Sequence, residues 1–186
     1  AIRKYYIGTV ETPWNYTSGE ASAQHMGTSG SSTMSRTLPL SNHIMHRKAV
    51  FVEYKDDFFS VPRPKPLWMG LLGPTIRTEV HDTVVVVFKN LASRAYNLHA
   101  VGMSFWKSSE GDAYEDESTK SEQDGDNVIP GETYTYAWHI QGDSGPTDGD
   151  SPCLTHAYFS NVNPVRDTNS GLVGALLICK PGRLSR

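Results

Sequence analysis

Tyr134-Thr135-Tyr136-Ala137-Trp138-His139-Ile140 decides the fold class. Large side chains at 134, 136, 138 and 140 alternate with Thr135, Ala137 and His139. A period of two is that of a half-buried strand, because successive side chains point to opposite faces. Val50, Val52 and Tyr54 alternate in the same way. Val84 to Phe88 and Leu172 to Cys179 are continuous apolar runs, and the first fits a strand buried on both faces. Asn97 to Val101 and Leu154 to Phe159 are shorter strand candidates, and Tyr5 to Val10 starts the sheet. Pro62-Arg63-Pro64-Lys65-Pro66, Gly73-Pro74, Pro130-Gly131, Gly145-Pro146 and Pro181-Gly182 punctuate these runs as turns. No amphipathic helix longer than two turns is legible. Strands at this spacing predict an all-β chain, an antiparallel sandwich or barrel.

At 186 residues the chain is expected to be a single domain, 1–186. With 38% hydrophobic and 20% charged residues, it is too apolar for a disordered chain and too polar for a membrane protein. A net charge of −3 argues against generic nucleic-acid binding. The first residue is Ala1 rather than Met, which reads as a processed chain or a fragment. Residues 17–41, rich in Ser, Thr, Gly and Met, read as a long mobile loop. Residues 110–126 hold eight acids against Lys120, a local charge of −7. That segment is either a solvated acidic loop or a site for a hard cation.

Cys153 and Cys179 match no short zinc motif. With the single sequon Asn15-Tyr16-Thr17, a glycosylation candidate at Asn15, they favour a secreted protein with one disulfide over two buried thiols. Cys179 shares its strand face with Val173, Ala175 and Leu177, so a bridge there is expected between sheets. Gly142-Asp143-Ser144-Gly145 resembles a serine-protease nucleophile motif, but Pro146 follows and no segment supplies the positioned His. His43 and His46 have spacing for one helical face, yet lie beside a loop. No His-x-His pair is present, although strand-borne metal sites favour that spacing.

Longer motifs carry a family resemblance. Trp68 to Ile76, Leu98-His99-Ala100-Val101-Gly102, Ser109-Glu110-Gly111, Cys153-Leu154-Thr155 and Asn169 to Lys180 together resemble the vertebrate multicopper oxidase family, which holds both ferroxidases and blood-coagulation cofactors. The resemblance runs over nearly the whole chain. Phe51-Val52-Glu53-Tyr54 and Phe105 to Gly111 bring it nearest to the coagulation branch, at the first cupredoxin (plastocyanin-like) repeat of its A1 domain. The resemblance implies a cupredoxin-like Greek-key β-sandwich and a Cys153–Cys179 disulfide. A disulfide-bonded Cys153 has no thiolate to offer a blue-copper site with His156.

Departures from the family pattern bear on chemistry. Ferroxidases of the family look like His-Ser-His-Gly at 99–102 and Tyr-His-Ser-His at 158–161. This chain has His99 alone, with Val101, Phe159 and Asn161 at the other three ligand positions. Copper needs several nitrogen or thiolate donors in fixed geometry. No catalytic residue is therefore expected, and His99 is at most a vestigial copper contact. For the acidic segment the resemblance implies calcium. Lys107 and Glu122 would give carbonyls and Asp126 a carboxylate, with Glu110 and Asp116 adding charge or oxygens. Asp124 would compensate for Gly125, where the family has an acid.

The expected function is a non-enzymatic procoagulant cofactor module, secreted into plasma. It would bind calcium and assemble with the following cupredoxin repeat and the other A domains. In the family, such a cofactor serves a serine protease and its zymogen substrate; neither nucleic acid nor direct membrane contact is expected of this chain. The competing expectation is a copper-binding, ferroxidase-type oxidoreductase module.

Overall fold

A computed structural model describes residues 1–14, 46–101 and 127–184. Among the described residues, eight strands form two four-stranded sheets. They are β1 (Ile2–Trp14), β2 (His46–Tyr54), β3 (Ile76–Glu79), β4 (Thr83–Asn90), β5 (His99–Ala100), β6 (Thr133–His139), β7 (Cys153–Phe159) and β8 (Val173–Cys179). One sheet runs β2-β1-β4-β6 and the other β3-β8-β7-β5. The periodic segments all become strands. The all-β sandwich is as expected and most pairings are antiparallel, but β1 pairs β4 and β3 pairs β8 in parallel.

Alternation decides what is inside. In β4, Val84, Val86, Phe88 and Asn90 are buried. Val85 and Val87 point outward and are only half-buried, beside Lys4 and Tyr6 in register on β1. The run is thus covered on one face and not on both, because its sheet is an outer layer. Val84, Val86 and Phe88 meet Phe51, Trp138 and, from the other sheet, Tyr158 and Leu176 in one core. Phe51 and Tyr158 join the sheets with ring centroids 5.4 Å apart. The Tyr158 hydroxyl donates to the Pro74 carbonyl at 2.5 Å, and burial raises its pKa well above the ordinary value.

Strand β3 was not legible as a strand. Its four residues bury only Ile76 and Thr78, and the Tyr5 hydroxyl ties it to the first sheet by meeting both Arg77 N–H and Arg77 C=O at 3.0 Å. A two-turn helix, α1 (Pro164–Ser170), links β7 to β8. Asn163 caps it by accepting from the Arg166 N–H, Pro164 sits in its first turn, and Gly171 ends it at φ 119°.

Cys153 and Cys179 form the disulfide. They face each other in the β7–β8 ladder, with Cα atoms 3.9 Å apart. The bridge therefore joins neighbours within one sheet, correcting the expectation of an inter-sheet bridge. In β8 the inward face is Gly174, Leu176 and Ile178, so Cys179 lies on the opposite, outer face. Gly174 is inward because the Tyr158 ring lies against it, where any Cβ would collide.

Candidate functional site

Of the four positions that the resemblance singles out, His99 lies on β5 and Phe159 on β7, while Val101 and Asn161 follow just beyond the ends of these strands. His99 stands opposite Phe159 and Ala100 opposite Tyr158. Period-two alternation buries Leu98, Ala100, Tyr158 and Ser160 in the core. Their neighbours Asn97, His99, Val101, Phe159 and Asn161 share the other side of these strands. The His99 and Phe159 rings meet edge to face at 5.6 Å. Val101 is 43% exposed, and its N–H donates to the Ala157 carbonyl at 3.0 Å.

Asn161 has a structural partner. Its side-chain oxygen accepts from Asn97 Nδ2 at 2.6 Å, and its N–H donates to Asn97 Oδ1 at 2.8 Å. The Asn97 N–H donates to Ser160 Oγ at 3.2 Å, and Ser160 Oγ donates to Asp167 Oδ2 at 2.8 Å. The other Asp167 oxygen accepts from Arg166 Nε and Nη2 at 3.1 and 3.0 Å. Asp167 is fully buried and is satisfied on both oxygens. This network also explains why Asn97–Val101 yields only a two-residue ladder. The Asn97 N–H goes to a serine hydroxyl and the Leu98 N–H to the Tyr136 hydroxyl at 3.3 Å, instead of to a strand.

The four positions thus offer one imidazole, one aliphatic side chain, one phenyl ring and one amide held by another amide. That donor set does not fit a copper cluster, which takes several imidazole or thiolate donors. Among the described residues, no group of three or more His, Cys, Asp and Glu is placed to hold a metal. His156 approaches Cys153 in sequence only as a blue-copper pair would. The Cys153 sulfur is in the disulfide, and His156 Nε2 lies 3.0 Å from the Ser144 carbonyl oxygen. That contact makes Nε2 a donor, so this nitrogen is no general base for a serine. Gly142–Ser144 is a short 3-10 turn between β6 and β7.

Asn97 was missed by sequence reasoning. It lies 64 residues from Asn161, and no local spacing signals an amide pair that only strand pairing creates. Asn15 and the calcium candidates Lys107, Glu110, Asp116, Glu122, Asp124 and Asp126 lie outside the described residues, as does the 17–41 segment.

A family model described as Multicopper oxidase matches residues 69–183. The chain is 54% identical over 187 residues to coagulation factor VIII of Canis lupus familiaris, covering 100% of this chain and 8% of that protein. It is 38% identical over 186 residues to ceruloplasmin of Homo sapiens, covering 99% of this chain and 18% of that protein. The chain therefore spans less than a fifth of the length of either relative. Copper nitrite reductase from Nitrosomonas europaea matches in structure with a TM-score of 0.55 at 13% identity, over 100% of this chain and 45% of that one. This likeness shows the fold alone, a cupredoxin-like β-sandwich.

Proposed function

The chain belongs to the multicopper oxidase family, and from that premise we propose that it is a non-enzymatic module of a procoagulant cofactor, similar to the first cupredoxin repeat of coagulation factor VIII. The observation that carries the reading is the face built by His99, Val101, Phe159 and Asn161. A ferroxidase-type module needs paired imidazoles there, and this chain presents one imidazole beside a phenyl ring and an amide pair. Identity to factor VIII exceeds that to ceruloplasmin, which supports the cofactor branch over the oxidase branch. The half-buried outward residues of β5, β7 and β8 suit contact with another cupredoxin repeat, so the module assembles with the A domains of the same protein. Through them it serves a serine protease and its zymogen.

Calcium binding at 107–126 belongs to the same proposal. Its support is the −7 charge of residues 110–126 and the family motif around Lys107, Glu110, Asp116, Glu122, Asp124 and Asp126. Secretion and glycosylation at Asn15 are supported by the disulfide, by similarity to a coagulation factor and by the sequon. No helix among the described residues is long and apolar enough to cross a membrane.

The test loads purified chain with Cu²⁺ and follows Fe²⁺ oxidation and visible absorption. The expected result is no blue band and no turnover above buffer. Sustained turnover abolished by His99→Ala would establish the oxidase reading instead.

A further inference from the structure

Strand β2 ends one sheet and β3 ends the other, and a proline-rich strap crosses between these edges. The strap pairs with β2 through a Tyr54–Pro62 bridge and an Arg63 N–H donating to Glu53 C=O at 2.8 Å. Pro62, Pro64 and Pro66 restrict its backbone before it turns at Leu67–Met69. Lys65 Nζ pins that turn by donating to the Gly70 and Leu72 carbonyls at 2.7 and 2.9 Å. The turn nevertheless leaves Leu67 90% and Trp68 82% exposed. Beside Trp68 lies a groove of about 260 Å³, lined among others by Val52, Met69, Arg63, Lys65 and Arg77.

These features are hard to explain as packing. A tryptophan held out on a pinned turn starts from a backbone already ordered before any partner arrives, which lowers the ordering cost of binding. Trp and Arg are also the side chains enriched where a few contacts dominate an interface. The groove volume falls below the roughly 300–1,000 Å³ of small-molecule pockets, so it suits one or two side chains and not a cofactor. Its charge is opposite in sign to that of the chain. Arg63, Lys65 and Arg77 face one acid, Glu53, which already pairs with Arg63 at 3.0 Å. Partial burial pulls the Lys65 pKa down, so this ammonium gains from a carboxylate brought near.

We propose that the Trp68 groove docks a polypeptide partner through a short segment in which an apolar side chain is flanked by carboxylates. The apolar residue stacks on Trp68 and enters toward Val52 and Met69. The carboxylates meet Arg77 and Lys65.

The test selects a displayed random-peptide library against the 186-residue chain. Enriched sequences should carry an aliphatic or aromatic residue beside Asp or Glu. A synthetic representative should bind the chain, weaken as salt rises, and lose about tenfold or more in affinity with Trp68→Ala and with Arg77→Glu taken singly. Trp68→Phe should retain binding. Both positions are exposed, so the variants should melt with the parent, and Arg77→Glu reads the charge contact without touching the apolar one. The proposal is overturned by enrichment of basic or uncharged sequences, by no enrichment over the Trp68→Ala/Arg77→Glu double variant, or by a dimer in sedimentation that Trp68→Ala dissociates. The last result would make a second copy of the chain the occupant.

Discussion

Asp82 sits between β3 and β4, where its carboxylate accepts from the Ala1 ammonium at 2.6 Å, Arg3 Nε at 2.5 Å and the Glu79 N–H at 3.0 Å. Burial by itself would push this carboxyl up, but these hydrogen bonds outweigh it and hold the pKa down to about 2. A depressed carboxylate stabilises the fold fully above its unfolded value of 3.8 and loses that contribution as pH falls toward 2. The stake is roughly 2 kcal/mol. Melting followed from pH 5 to pH 2 should therefore drop in the pH 4 to 2 window, and Asp82→Asn should melt lower at neutral pH with a shallower acid limb. Gly174 lacks the Cβ that would collide with the Tyr158 ring. Gly174→Ala should cost about 1–3 kcal/mol through overpacking, read as a Tm several degrees lower. Equal stability would mean that the ring can move aside.

Among the elements, the β7–β8 pair is where chain geometry and chemistry can be checked together. Thiol titration of denatured, unreduced protein should find no free thiol at Cys153 or Cys179. The Cys153→Ala/Cys179→Ala double variant should lose about 3 kcal/mol, because the bridge closes a loop with a sequence separation of 26. The parity of Cys179 with Val173, Ala175 and Leu177 was readable in sequence. Which parity faces inward was not, since every residue of β8 is apolar or small and the choice falls to Tyr158 packing on Gly174. The long strands were legible as strands because alternation in β2 and β6, or an unbroken apolar run in β4 and β8, marks elements of seven or more residues. Ile76–Glu79 offers only two alternations, too few to separate strand from turn. The helix Pro164–Ser170 did carry its signals, Asn163, Pro164 and Gly171, but only two turns of chain between them. At the site, the single imidazole was legible as His99, whereas the Asn97–Asn161 pair depends on strands far apart in sequence.

For the whole molecule, the calcium proposal predicts a coupling between ion and stability. A segment of charge −7 repels itself, and a divalent cation that binds only the folded chain adds roughly 2.7 kcal/mol at 100 times its Kd. The Tm should rise with Ca²⁺ and fall with a chelator. Asp126→Ala should remove the response, Asp143→Ala should leave it, and Mg²⁺ should substitute poorly. A full response in Asp126→Ala would refute the ligand assignment. The parallel pairings also set the order in which a growing chain can be completed. Ile2 pairs with Thr83, and Ile76 with Leu176. At about 5–20 residues per second, β1 waits about 4–16 s for its parallel neighbour to be synthesised, and β3 waits longer. Among the described residues β8 is the only strand that β3 pairs with. A nascent chain that stalls before Val173 thus presents the inner face of the first sheet with its cover unfinished, a species exposed to aggregation and to degradation until β8 emerges.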